Sequence, residues 1–139
     1  MARIIATAEV TNSGNQYTSG VAIRQFDLIV DEPIESGGED LGPAPGDYLC
    51  AALASCKSIT LRMYAQRKKW HVEEIKVLVS LSRNLAVIPI KNIFFVKLSF
   101  KGDLDAQQID RLEVIAANCP IHKMLTTHSE IITTVQPSI

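Results

Sequence analysis

Asp47-Tyr48-Leu49-Cys50-Ala51-Ala52-Leu53-Ala54-Ser55-Cys56-Lys57-Ser58-Ile59-Thr60-Leu61-Arg62-Met63-Tyr64-Ala65-Gln66-Arg67-Lys68 contains neither Gly nor Pro. Leu49, Leu53, Cys56, Thr60, Met63 and Tyr64 recur in it at helical spacing, and Asp47 stands where a first-turn acid suits the helix dipole. The stretch therefore predicts a helix from Asp47 to about Lys68. Its first half, Leu49 to Cys56, is small and apolar on nearly every face, which predicts a segment buried all round. Its second half turns polar with Arg62, Gln66, Arg67, Lys68 and Lys69, and cations at the end of a helix also suit the dipole.

On the N-terminal side, Arg3 to Val10 and Gln25 to Val30 read as extended segments around the turn-forming Asn12-Ser13-Gly14-Asn15, and the second ends at Asp31-Glu32-Pro33. Two or three antiparallel strands fit. Ile34 to Gly46 holds Gly37, Gly38, Gly42 and Gly46 with Pro43 and Pro45, so a surface loop is expected to lead into the helix. On the C-terminal side, Glu73 to Arg83 and Lys91 to Lys101 alternate apolar and polar residues and predict a hairpin of two long strands. Asp103 to Asn118 is an amphipathic helix with Asp105 as its first-turn acid, broken by Cys119-Pro120. Pro120 can open a short helix over Ile121 to Leu125, and Glu130 to Val135 is expected to close the chain as a strand. The order is α+β, mostly antiparallel sheet around a buried central helix, in a single domain over residues 1–139.

Composition narrows the function classes. With 139 residues, 47% of them hydrophobic, the chain can bury a core without disulfide or metal, and disorder is excluded. Fourteen Lys and Arg against fifteen Asp and Glu give a net charge of −1, too little positive field to favour nucleic acid as a partner. No apolar stretch approaches the roughly 18 residues of a membrane span. The start, Met1 to Thr7, lacks an apolar core of signal-peptide length, so a cytoplasmic protein is expected.

Three cysteines, Cys50, Cys56 and Cys119, carry the chemical interest. In a reducing compartment they are buried apolar residues, metal ligands or redox groups rather than a structural framework. Cys50, on the Ala-rich half of the helix, reads as small apolar filler. On one helix Cys50 and Cys56 are separated by about 9 Å of rise and roughly 120° of rotation, which forbids a bridge between them. Any internal redox pair must include Cys119. Its place before Pro120, with His122 and Lys123 three and four residues on, favours a thiolate; the alternative is a small residue at a tight junction between helices. Cys119-x-x-His122 also permits a zinc site with Cys56 and His71 or His128, although no second close pair completes four ligands. A Cys/His hydrolase or transferase is a third possibility, without an orienting group in the sequence.

The run Gly42-Pro43-Ala44-Pro45-Gly46-Asp47-Tyr48-Leu49-Cys50-Ala51-Ala52-Leu53-Ala54-Ser55-Cys56, continuing through Ile59 to Ala65 and Lys69-Trp70, resembles the OsmC/Ohr family, and Asn118-Cys119-Pro120-Ile121-His122-Lys123-Met124-Leu125-Thr126 resembles that family's second cysteine motif. The resemblance implies an intertwined α+β homodimer and a thiol-dependent peroxidase acting on organic hydroperoxides. Cys56 would attack the peroxide and become a sulfenic acid, Cys119 would resolve it to a disulfide, and an external dithiol would reduce the pair. No cofactor or metal is expected. In the family an Arg from the N-terminal region and a Glu before the helix organise the thiol. Here Gly46 stands at the position of that Glu with Asp47 one residue later, and Arg24 is the candidate cation. On an unbroken helix Asp47 lies about 13 Å along the axis from Cys56 and on the opposite face, so it acts either across a dimer or as the helix's N-terminal acid. Lys57, about 100° round the helix from Cys56, is expected at solvent or an interface. The competing expectation is a dimeric binding or scaffold protein of the same fold with little peroxidase turnover.

Overall fold

The computed structural model describes residues 3–14 and 16–136. The chain divides into two compact units, Met1–Ala51 and Ala52–Ile139.

In the first unit, β1 (Glu9–Thr11), β2 (Ser19–Ile23) and β3 (Phe26–Val30) form an antiparallel meander in the order β1-β2-β3. Of the expected extended segment Arg3 to Val10 only Glu9 and Val10 pair, and with Thr11 they lie opposite Ala22 to Gly20. The loop after β3 is organised by Asp31, which is only 2% exposed. Its carboxylate accepts hydrogen bonds from Thr18 Oγ1 (2.8 Å), Glu32 N (2.8 Å) and Leu41 N (3.2 Å), tying both ends of the Gly-rich loop to one charge. A side chain at Gly38 would collide with the Glu32 carbonyl, so the loop folds back on itself only because that residue is glycine. Helix α1 (Pro45–Lys68) starts two residues earlier than the sequence reading, since Pro needs no N–H partner in a first turn. The Asp47 carboxylate accepts from Ala44 N at 2.9 Å, and Tyr48 Oη donates to the Ile29 carbonyl at 2.6 Å.

In the second unit the expected hairpin is present as β4 (His71–Asn84) and β5 (Lys91–Asp103), an antiparallel two-stranded ribbon. Its register shifts once, between Val72 and Glu74. Opposite that irregularity Gly102 takes φ 146°, where a Cβ would strike the His71 carbonyl. Helix α2 (Ala106–Ala116) is fixed by a capping box: Asp105 accepts from Gln108 N at 2.8 Å while the Gln108 side chain accepts from Asp105 N at 2.9 Å. Asp105 is thus the cap itself rather than a first-turn acid. Helix α3 (Pro120–Leu125) follows directly.

The core of this unit joins α1 to α2. Leu61 and Leu112 are fully buried, with Tyr64, Ile115 and Ala116 around them and Trp70, Ile75, Leu98, Phe100 and Leu104 packed against the cluster. Tyr64 meets Trp70 edge to face at 5.5 Å and receives a hydrogen bond from Arg111 Nε at 3.1 Å. Arg62, expected among the free polar residues, donates to the Val72 and Glu73 carbonyls and so anchors the start of β4.

Two expectations fail on the single chain. Of Leu49 to Cys56 only Leu53 is buried, so burial all round is not reached within one subunit: one small chain has no layer to place on the remaining faces. Glu130 to Val135 forms no strand. Its apolar residues stand free, Ile131 93% and Val135 85% exposed, because no strand edge among the described residues pairs with them.

Burial disfavours the Asp31 charge, but the hydrogen bonds from Glu32 N, Thr18, Leu41 N and Glu39 N outweigh it and hold the carboxyl below its ordinary value of 3.8. A lowered carboxyl stabilises the fold above the unfolded value and loses that contribution as pH falls through the folded one. We expect the melting temperature to drop as acid is added below about pH 4, and Asp31→Asn to melt lower at pH 7 with a shallower acid decline; calorimetry between pH 3 and 7 measures both.

Candidate thiol site

The site lies within the second unit, where α1, α2 and α3 meet. The buried stripe of α1 is Leu53, Lys57, Leu61, Tyr64 and Ala65. Cys56 is half-buried beside this stripe. Cys119 caps α3 and is fully buried, its Sγ accepting a hydrogen bond from His122 N at 3.3 Å. The N-cap position was legible from Pro120, which has no N–H to spare and starts a helix.

The two cysteines, 63 positions apart in the chain, are neighbours in this unit, and both are free thiols. Burial pushes the Cys56 thiol up, and the hydrogen bond and charge of Cys119 push it further, against the Ile121 backbone and the Thr60 hydroxyl, which lower it. Reactive thiolate at Cys56 therefore requires a base or a cation nearby.

A buried cation of the same unit is Lys57. The sequence reading put it at solvent or an interface; it is 3% exposed. Its Nζ donates to the Ala116 carbonyl at 2.8 Å and lies 2.8 Å from His122 Nδ1. Ala116 is the last residue of α2, whose final carbonyls lack helical partners and carry the negative end of the dipole. An ammonium has donors only, so His122 Nδ1 is the acceptor, and a neutral His122 keeps its proton on Nε2. Burial lowers the Lys57 ammonium, while the adjacent Cys119 and Cys56 raise it. Burial also lowers His122, and the charge of Lys57 lowers it further. The signal for Lys57 was present in the sequence: it falls four residues after Leu53 and four before Leu61, on the stripe they define. Its direction about 100° round the helix from Cys56 suggested solvent or an interface, whereas its partners come from 59 and 65 residues away.

The other candidate residues lie in the first unit. Arg24, at φ 53° in the turn between β2 and β3, stacks its guanidinium over Phe26 at 5.5 Å. Asp47 makes the Ala44 bond of a helix N-terminal acid. Cys50 is half-buried on α1. The zinc alternative required Cys56, Cys119 and His122 with His71 or His128; among the described residues no three His, Cys, Asp or Glu side chains are arranged to hold a metal ion. His71 instead faces Glu73 at 3.4 Å on the surface of β4.

Lys57 and His122 also line an open cavity of about 840 Å³, walled by Val96, Leu98, Phe100 and Ile109, with Lys97 and Glu113 bringing charge to it.

The model of the OsmC-like protein family matches residues 37–134, a span that holds both cysteines and Lys57. The chain belongs to that family. No curated protein sequence matches it. Among solved structures it is similar to the OsmC-like protein of Mycoplasma pneumoniae, with TM-score 0.74 and 16% identity over 89% of each chain. It is also similar to an organic hydroperoxide resistance protein of Legionella pneumophila, with TM-score 0.70 and 19% identity over 91% of this chain and 92% of that one. The organic hydroperoxide resistance protein of Bacillus subtilis gives TM-score 0.63 and 20% identity over 88% and 91%. At such identities the likeness establishes the shared OsmC fold.

Mild oxidation of the reduced protein with diamide should link Cys56 to Cys119 and leave Cys50 alkylatable. Peptide mapping by mass spectrometry reads the result, and a bridge that includes Cys50 would contradict this geometry.

Proposed function

We propose that this OsmC-like protein is a thiol-dependent peroxidase that reduces organic hydroperoxides in the cytoplasm. The observation that carries the reading is the pairing of Cys56 with the buried Cys119 in one unit beside a buried cation. The Cys56 thiolate attacks the terminal peroxide oxygen; the S–O bond forms as the O–O bond breaks, and the leaving alkoxide takes a proton to become an alcohol. The Cys119 thiolate then attacks the Cys56 sulfenic acid, the S–S bond forms, and hydroxide leaves with the second proton as water. Two thiols and one hydroperoxide become a disulfide, an alcohol and water. An external dithiol returns the two electrons.

The mostly apolar walls of the cavity beside Lys57 and His122 favour a hydroperoxide with a hydrocarbon body over hydrogen peroxide. Among the described residues no helix is long and apolar enough to cross a membrane, and three free thiols suit a reducing compartment.

The working form in this proposal is a homodimer. Apolar residues left open on the single chain support it: Ile59 (57%) and Met63 (65%) on α1, Leu78 (56%) and Phe95 (58%) on the ribbon, and the Ile131 to Val135 tail. In such an assembly Arg24 and Asp47 are the candidate cation and acid that a neighbouring subunit would offer to the thiol.

Reduced protein should consume tert-butyl hydroperoxide with dithiol turnover. Cys56→Ser should lower the rate by at least about a hundredfold, as removal of an essential nucleophile does. Cys119→Ser should leave a trapped sulfenic or overoxidised Cys56, read by intact mass. A wild-type thiol count that stays unchanged under hydroperoxide would favour the scaffold alternative. Light scattering on the eluted peak should give twice the chain mass of 15.3 kDa.

A further inference from the structure

We propose that Lys57, held in place by His122 and the end of α2, is the charge partner of the Cys56–Cys119 dithiol. The inference deepens the peroxidase reading and rests on it for its biological use, though its chemistry can be measured without peroxide.

Geometry supplies the argument. A lysine ammonium taken out of water is costly unless every donor is used and a counter-charge stands nearby. Here one donor goes to the last carbonyl of α2 and one to His122 Nδ1, both at 2.8 Å. The groups left for the charge to face are the two thiols, next to Lys57 in the chain and across from it on α3. A buried cation whose own hydrogen bonds are neutral, set against two acids, stabilises the anion that either acid forms.

Burial and the neighbouring Cys119 raise the Cys56 thiol, while burial and the charge of Lys57 lower His122, so the imidazole stays neutral, accepts from the ammonium and leaves the positive charge on Lys57. His122 borders the cavity. The other ionisable groups facing this arrangement are Glu113 of α2 and Lys97 of β5, one acid and one base on the cavity wall.

The test is the pH dependence of Cys56 alkylation by iodoacetamide in the reduced full-length protein, followed by peptide mass spectrometry. Lys57→Met fills the same space without charge; Lys57→Gln keeps a donor for Ala116 and serves if Met disturbs packing, with folding checked by circular dichroism. In either folded neutral variant the alkylation midpoint should rise by about one pH unit, a roughly tenfold slower reaction at pH 7. Lys57→Arg, always charged, should bring the midpoint back toward that of the wild type. In the neutral variants His122, followed by proton NMR, should titrate closer to its ordinary 6.5. An unmoved Cys56 midpoint in a folded neutral variant overturns the proposal. A wild type inert to hydroperoxide whose midpoint still depends on Lys57 removes the peroxidase reading and upholds the charge pair.

Discussion

A single buried ammonium sets the terms for the thiol site. Lys57 occupies a position on α1 where a leucine would satisfy the packing stripe, and its cost is offset only because three elements deliver partners to one point. The end of α2 presents a carbonyl with no helical use for it, α3 presents an imidazole nitrogen, and both thiols stand within reach of the charge. Move α2 by one turn and the carbonyl is gone, leaving the lysine as an unpaired charge in an apolar core. The Leu61–Leu112 contact that locks α1 to α2 is therefore a condition for the electrostatics of the site as much as for stability.

The surroundings of the helix cysteines differ. Cys50 and Cys56 share a helix and are both half-buried, and within the second unit Cys56 has a second thiol and a cation close by. In the proposed reaction that difference in environment, not residue type, sets the role of each thiol.

Much of the fold was legible because its signals are local. Alternation over Glu73 to Arg83 and Lys91 to Lys101 names a hairpin, and Pro120 after Cys119 names a helix start. The failures share a cause. The Leu49 to Cys56 face and the Glu130 to Val135 tail have the composition of buried structure, but burial needs a covering layer that one chain does not contain. Lys57 was misjudged for the converse reason: its hydrogen-bonding partners lie far along the sequence, and the periodicity that marks its position says nothing about what waits there. The thiol pairing itself was carried by family likeness and not by spacing, since 63 intervening steps of chain impose no distance.

The β4–β5 ribbon leaves both of its outer edges open among the described residues. An open edge accepts any strand, including that of an identical molecule, and a flat apolar ribbon would grow without limit. Lys76, Lys91, Lys97 and Lys101 are spread along it, and each further copy laid in register would stack like charges on one another. Like charge along the ribbon thus raises the energy of open-ended strand addition at either edge.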